Sequence, residues 1–456
     1  MYRRGLLTAA VALSLGLGLS GLTVHPANAA DTNYTEADLG DALTPTGAIR
    51  AGNADGSIPA WTGGVTTPPA GYSPGDHHIA PFAADQPLFT ITADNADEYK
   101  DMLSEGHYKM LKQYPSYKMA VYPTHRTFSA PQRIYDETLA NASRASLSDT
   151  GNGVDGAKEG YPFPVAENGL EAIWNHLLRF RGVAFERRVG QANPTSGGDY
   201  TMIFIDEKTY LPYSQPGGNG GSNELAYFLQ EVVAPARLAG EILLVHETID
   251  QVEGPRQAWT YNPGQRRVRR APNVAYDNPG TASDGLRTTD NFDMFSGAPD
   301  RYNWELKGRK EMLVPYNAYA LHAKGVAYDD IIKPGHLNSD FLRYEKHRVY
   351  VVEATLKEGI SNIYSKRVFY IDEDSWNIVA IDMYDSRGDY WRLAESHGIN
   401  YYDVPVYYNT VDAVYDLQSG RYTAIGFKNN EDMIKFGQDF SASDFTPDRL
   451  RRAGRR

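Results

Sequence analysis

IYSKRVFYIDEDSWNIVAIDMYDSRGDYWRLAES, residues 363–396, decides the fold of this chain. Three runs rich in β-branched and aromatic residues, 363–372, 376–385 and 388–396, are separated only by Asp372 to Ser375 and by Asp385 to Gly388. Gaps of that length hold a tight turn and leave no room for a crossover helix, so successive strands pair antiparallel. In the first run Ile363, Phe369 and Ile371 share one face, while Tyr364, Val368 and Tyr370 share the other. Strands apolar on both faces must be covered on both.

The same texture extends outward. Residues 348–357 precede it, with Tyr350, Val352, Ala354 and Leu356 on one face; 405–417 and 421–428 follow, joined at Gln418-Ser419-Gly420. Upstream, 183–191, 200–207, 238–249, 256–262, 265–271 and 310–316 read as further strands, with Asn262-Pro263-Gly264 as one of the turns. An antiparallel meander of this many strands either closes into a barrel or curls around something. Pro272 to Asp300, rich in Asn, Asp, Gly and Pro, interrupts it, and loops that long are functional or mobile. Leu170, Ile173, Trp174, Leu177 and Leu178 at i, i+3, i+4, i+7, i+8 predict a helix over 168–180. Leu225, Phe228, Leu229, Val232 and Val233 repeat that spacing and predict a second over 223–233, hinged at the Gly-rich loop 216–222. The expected class is mainly β (α+β): a large curved antiparallel sheet forming a half-open barrel with helices in its mouth.

Residues 30–165 read differently. They are Gly-, Pro-, Asp- and Asn-rich, with an extended segment from Thr62 to Pro81, a helix from Asp94 to Tyr114 and another starting at Pro131. The expected division is therefore a signal peptide over 1–29, a wrapping region over 30–165 and the half-barrel over 166–456. Arg3 and Arg4, the apolar run Gly5 to Val24 and the small residues of Ala27-Asn28-Ala29 are the three parts of a cleavable export signal. The chain has no cysteine, so the acylated cysteine of a lipoprotein and all disulfides are excluded. Loss of Arg3 and Arg4 takes the formal net charge from −12 to −14, an acidic balance unsuited to nucleic acid or anionic headgroups. The clusters Arg266-Arg267-Arg269-Arg270 and Arg451 to Arg456 are read as a solvated strand face and a frayed tail.

Motifs with chemical content fail on inspection. Gly71-Tyr72-Ser73-Pro74-Gly75 matches the letters of a nucleophile elbow, but Pro74 has no N–H for an oxyanion hole. His77-His78 point to opposite sides of an extended segment and lack a third ligand at a recognisable spacing. Asn53-Ala54-Asp55-Gly56-Ser57 lacks the glutamate of a calcium loop, and Asp372 to Ser375 reads as a hairpin tip. Gly217-Gly218-Asn219-Gly220-Gly221 lacks the lysine and the preceding strand of a phosphate loop. No catalytic group, metal or cofactor is expected, and the chain is not expected to be an enzyme.

Two stretches carry a resemblance. Leu43-Thr44-Pro45-Thr46-Gly47-Ala48 with Arg50 to Gly64 resembles the N-terminal signature of a family of bacterial exported proteins of unknown function, described as outer-membrane lipoprotein-sorting-like. Gln257 to Pro272, and the hairpin from Lys366 to Tyr384, are similar to that family and to the hairpins of the periplasmic lipoprotein-localisation carriers. The resemblance implies an apolar cavity inside the half-barrel, a hydrophobic small molecule or lipid as cargo, and partnership with a resistance-nodulation-division type exporter and an outer-membrane protein. It places the chain in the periplasm as a carrier, with Trp174, Phe228, Trp259, Tyr350, Phe369 and Trp391 as expected lining residues. A non-catalytic scaffold with a filled interior, or a hydrolase of envelope glycans or aromatic compounds, stand as the alternatives.

Overall fold

The computed structural model describes residues 34–453; the expected signal peptide lies outside them. Two short strands of the N-terminal region, β1 (Phe89–Ile91) and β2 (Met119–Val121), join the main sheet, whereas β3 (Ser146–Leu147) and β4 (Val154–Asp155) pair only with each other. A first meander comprises β5 (Ala184–Ala192), β6 (Ile203–Tyr210), β7 (Glu224–Ala234), β8 (Ile242–Thr248), β9 (Gln257–Asn262) and β10 (Arg267–Arg270). A second comprises β11 (Tyr302–Pro315), β12 (Tyr344–Leu356), β13 (Lys366–Asp372), β14 (Ile378–Tyr384), β15 (Tyr390–Tyr401), β16 (Val406–Asp416) and β17 (Arg421–Phe427), and β18 (Lys435–Phe436) returns to pair with β5. Each of the twelve strands expected from the sequence is present.

The meanders are not joined where the chain joins them. The last strand of the second meander, β17, pairs with β5, so the sheet runs from β1 and β2 through β12–β17 to β5–β10, with β11 beside β12. Every ladder is antiparallel apart from the single pair Tyr344↔Val121, and the two ends of the sheet do not meet. A half-open barrel results. The β17–β5 seam shifts register between Ile425 and Phe427. Gly426 sits there at φ +117°, where a Cβ would lie 2.2 Å from the Thr410 carbonyl oxygen, so the bulge requires glycine.

One element differs in kind from expectation. Residues 223–233 form strand β7, not a helix. Both of its faces are covered: Ala226, Phe228 and Gln230 line the inside, while Tyr227 and Leu229 join an outer cluster with Ile242, Leu244, Phe445 and Leu450. Apolar residues at both parities reproduce a helical spacing by coincidence. The true helices include α1 (Glu105–Gln113), α2 (Gln132–Arg144) with Pro131 at its N-cap, and α3 (Gly169–Leu178), capped by Asn168 accepting from the N–H groups of Leu170 and Glu171. A 3-10 segment, Ala96–Met102, takes the first half of the helix expected over 94–114. Short α4 (Tyr319–His322) and α5 (Tyr328–Ile331) sit among the loops, and α6 (Pro447–Ala453) covers the outer face of β8–β10, holding Arg451 and Arg452. Among the described residues no helix is long and apolar enough to cross a membrane.

The N-terminal wrap and the second meander share one core, which runs from Trp61, Ile91, Met110 and Phe128 to Phe369, Ile381 and Tyr415. Its fixed point is the hairpin tip between β13 and β14. The tip expected from the sequence is present, and Asp372, Asp374 and Trp376 are fully buried there. Arg126 grips Asp374 through two hydrogen bonds of 2.8 and 2.6 Å, and Arg348 pairs with Glu373 at 3.2 Å. The signature segment closes over them: Thr46 Oγ1 donates to the Asp374 carbonyl, and Trp376 Nε1 donates to that of Thr46 at 2.8 Å. Gly47, at φ +90°, lies so close to Pro164 that a Cβ would fall 1.6 Å from its carbonyl oxygen. Breaking a buried pair leaves an uncompensated charge. Arg126→Met is therefore expected to lower stability by about 3–5 kcal/mol in equilibrium denaturation. A loss below about 1 kcal/mol, the range of an exposed pair, would show that the tip does not hold the wrap.

Candidate functional site

The inner face of the first meander can be read from its register. Phe185 lies opposite Thr209, Thr209 opposite Phe228, and Phe228 opposite Val245, so one row crosses β5–β8. The row beside it is Arg187, Glu207, Gln230 and Leu243. Arg187 Nε donates to Glu207 at 2.6 Å, and Gln230 Nε2 donates to the other oxygen of that carboxylate, also at 2.6 Å. The meander thus offers an apolar row backed by a polar row whose charges are matched.

Nothing from the meander itself fills the space above the apolar row. It is closed by the end of α3, which supplies Trp174 and Leu177, and by the strap 272–300, which supplies Phe292 and Phe295. A cavity of about 180 Å³ remains between them. Two carboxylates anchor the strap on either side of Phe292. Asp293 accepts from Arg179 at 2.5 Å and pairs with Arg181, and Asp290 pairs with Arg367 at 2.9 Å. His176 on α3 ties the strap to the hairpin tip. Its Nδ1 accepts from the Ile378 N–H at 3.2 Å, its other nitrogen meets the Asp293 carbonyl at 3.0 Å, and burial keeps the ring neutral. Glu247, the one carboxylate in the cavity wall among the described residues, is held by Arg256 at 2.5 Å.

Of the six residues expected to line a cavity, the structure brings together Trp174 and Phe228. Trp259 stands on the opposite face of β9, edge-on to His246 at 4.7 Å with Arg270 over its ring. Tyr350 stacks on Trp376 at 4.6 Å beneath the N-terminal wrap. Phe369 packs behind the strap, 5.6 Å from Phe295, and Trp391 donates to Asp416 at 2.8 Å in the second meander. Phe185, Leu211 and Val245 were missed. The parity of the runs 183–191 and 238–249 carries Phe185 and Val245, but only once the strands between them are placed, and Leu211 lies outside every expected strand.

A grouping of His347, Asp372 and Asp374, whose ligand atoms lie within 4.8 Å of one another, belongs to the clamp at the hairpin tip. Each already has partners: His347 meets Glu345 at 3.0 Å, Asp374 holds Arg126, and Asp372 accepts from Ser375 at 2.6 Å. Burial beside Asp374 pushes Asp372 up to about 6. These contacts describe an interior charge network.

Beside the cavity, sharing Phe292 and Tyr408 with it, a small polar recess contains Asp412. Burial first, and the negative charge of Asp293 second, raise this carboxyl from 3.8 to about 6. A raised folded-state value means that its stabilising contribution is full below pH 3.8 and is lost as pH rises through about 6. Asp412→Asn is expected to raise stability above that range by about 3 kcal/mol and to flatten the pH dependence within it. Denaturant titrations at acid and alkaline pH check this; a variant no more stable than the parent at alkaline pH contradicts it.

A family model described as a protein of unknown function (DUF1329) matches residues 90–451, and the chain belongs to that family. The match begins after the first signature stretch and contains the second. An uncharacterized protein of Pseudomonas aeruginosa is 50% identical over 446 residues, covering 96% of this chain and 97% of its own length. A solved domain from Vibrio parahaemolyticus, described as outer-membrane lipoprotein-sorting, is 15% identical and covers 62% of this chain and 98% of that one, with a TM-score of 0.44. A LolA superfamily protein from Nitrosomonas europaea is 14% identical and covers 62% of this chain and all of its own, with a TM-score of 0.38.

Proposed function

We propose that this member of the DUF1329 family is a periplasmic binding or carrier protein for a lipid-like or other hydrophobic molecule, working with an envelope export system. The observation that carries the reading is the space left between the apolar row Phe185–Phe228–Val245 and the strap. A well-covered sheet fills such space with its own side chains. The scaffold alternative requires that filling. The hydrolase alternative requires a free acid or base in the wall, and Glu247 is tied to Arg256. The N-terminal export signal supports the compartment, and a hydrophobic molecule gives a reason for a carrier in an aqueous gap between membranes.

The mechanism is transfer of apolar surface. A cavity of about 180 Å³ resembles in size the engineered cavities of about 150 Å³ that stay dry and admit benzene. The closed form therefore takes a short tail or a ring, and a longer tail enters when the strap lifts. Lifting means separating Asp293 from Arg179 and Arg181 and withdrawing Phe295 from its packing on Trp304 and Phe369. The strap lies over the cavity together with the end of α3, where the sequence predicts two helices in the mouth, over 168–180 and 223–233.

Binding of a graded series of primary alcohols to the mature chain, purified without detergent, tests the proposal. Each added methylene is expected to contribute about 0.8 kcal/mol, roughly fourfold in affinity, until the space is filled. Val245→Trp, which fills the space from the sheet side, is expected to abolish binding while the variant stays folded. If no alcohol in the series binds or raises the melting temperature, the carrier reading fails.

A further inference from the structure

Among the described residues four arginines stand in the cavity wall, and three of them are ion-paired. Arg179 and Arg181 share Asp293, and Arg256 holds Glu247. Arg287 forms no ion pair among the described residues, although it is only 4% exposed. Its Cζ lies 5.5 Å from the ring of Phe292, and its Nε has no hydrogen-bond partner. Glu207 and Asp412 act on it only from beyond ion-pair distance, and Glu207 already serves Arg187 and Gln230. Burial accordingly pulls the guanidinium below its usual value.

This position is held by the backbone. The Arg287 carbonyl accepts from the Gly280 N–H at 2.8 Å and from Ser283 Oγ at 3.1 Å, and Pro279 bridges to Thr288. The guanidinium rests against Gly280, where a Cβ would lie 3.1 Å from Cζ. A buried charge without a partner is costly, and the strap keeps this one against the cavity.

We propose that Arg287 is the head-group site of the cavity, and that the molecule carried is an amphiphile ending in a carboxylate. The tail lies along Phe185, Phe228 and Val245, and the carboxylate takes the planar donors of Arg287. The limited volume favours a carboxylate over a bulkier phosphodiester head. This inference rests on the carrier reading and adds the chemical class of the ligand.

Titrating the full mature chain with octanoic acid, methyl octanoate and 1-octanol at neutral pH tests it. The parent protein is expected to bind the acid at least about tenfold more tightly than the alcohol or the ester, the low end of what a hydrogen bond to a charged group contributes. Arg287→Met is expected to erase that preference by weakening acid binding far more than alcohol binding, and not to lower the melting temperature of the empty protein. Arg287→Lys is expected to keep part of the preference. Equal binding of the three probes by the parent, or an acid preference that survives Arg287→Met, overturns the head-group site while leaving the carrier reading intact. Failure of all three probes to bind the parent overturns the carrier reading itself. Should Arg287→Met not fold, the three-probe comparison in the parent decides alone.

Discussion

Strands apolar on both faces cannot stand in water, and the molecule is arranged around covering them. The second meander is covered by the N-terminal wrap, α1 and α3, which share its core from Trp61 to Tyr415. The first meander is covered outside by α6, with Phe445 and Leu450 against Tyr227 and Leu244. Inside it is covered by the strap and the end of α3, and a strap bridges where a full wrap would fill. The cavity is the consequence. Two halves of one sheet meet the same demand in different ways, and the difference places the candidate site.

Charges decide where the covering pieces sit. The clamp of Arg126, Arg348, Asp374 and Glu373 fixes the wrap on the hairpin tip, and Asp290 and Asp293 fix the strap through Arg367, Arg179 and Arg181. Buried pairs of this kind add little net stability over an apolar packing. Removing one partner is costly, however, so they hold a segment to a single position. His176 couples the two systems, since its ring spans from β14 to the strap. Arg287 breaks the pattern as a buried guanidinium with no ion-pair partner among the described residues, and it is the group a ligand would complete.

Much of this was legible in the sequence. Short turns such as Gln418-Ser419-Gly420 dictated antiparallel pairing, and two-faced apolar runs dictated a curved, covered sheet. Two things were not. β7 mimicked a helix because both of its parities are apolar, which only its neighbours β6 and β8 and the helix α6 explain. Asp372 to Ser375 was legible as a hairpin tip but not as a buried one, because the arginines that pair with it come from residues 126 and 348. The lining was half hidden for a related reason. Trp174 and Phe228 stand in the wall, whereas Trp259 has the parity of the outer face. Strand order, with β17 beside β5, is a long-range fact that no local pattern encodes.

Amide hydrogen exchange with and without bound octanoic acid tests most directly whether the space beneath the strap is a ligand site. Binding there predicts slower exchange in β7, in β8 and in the strap residues 274–297, with β13–β15 unchanged. Unaltered exchange across the strap, or slowing confined to the outer face around β9, β10 and α6, would contradict it.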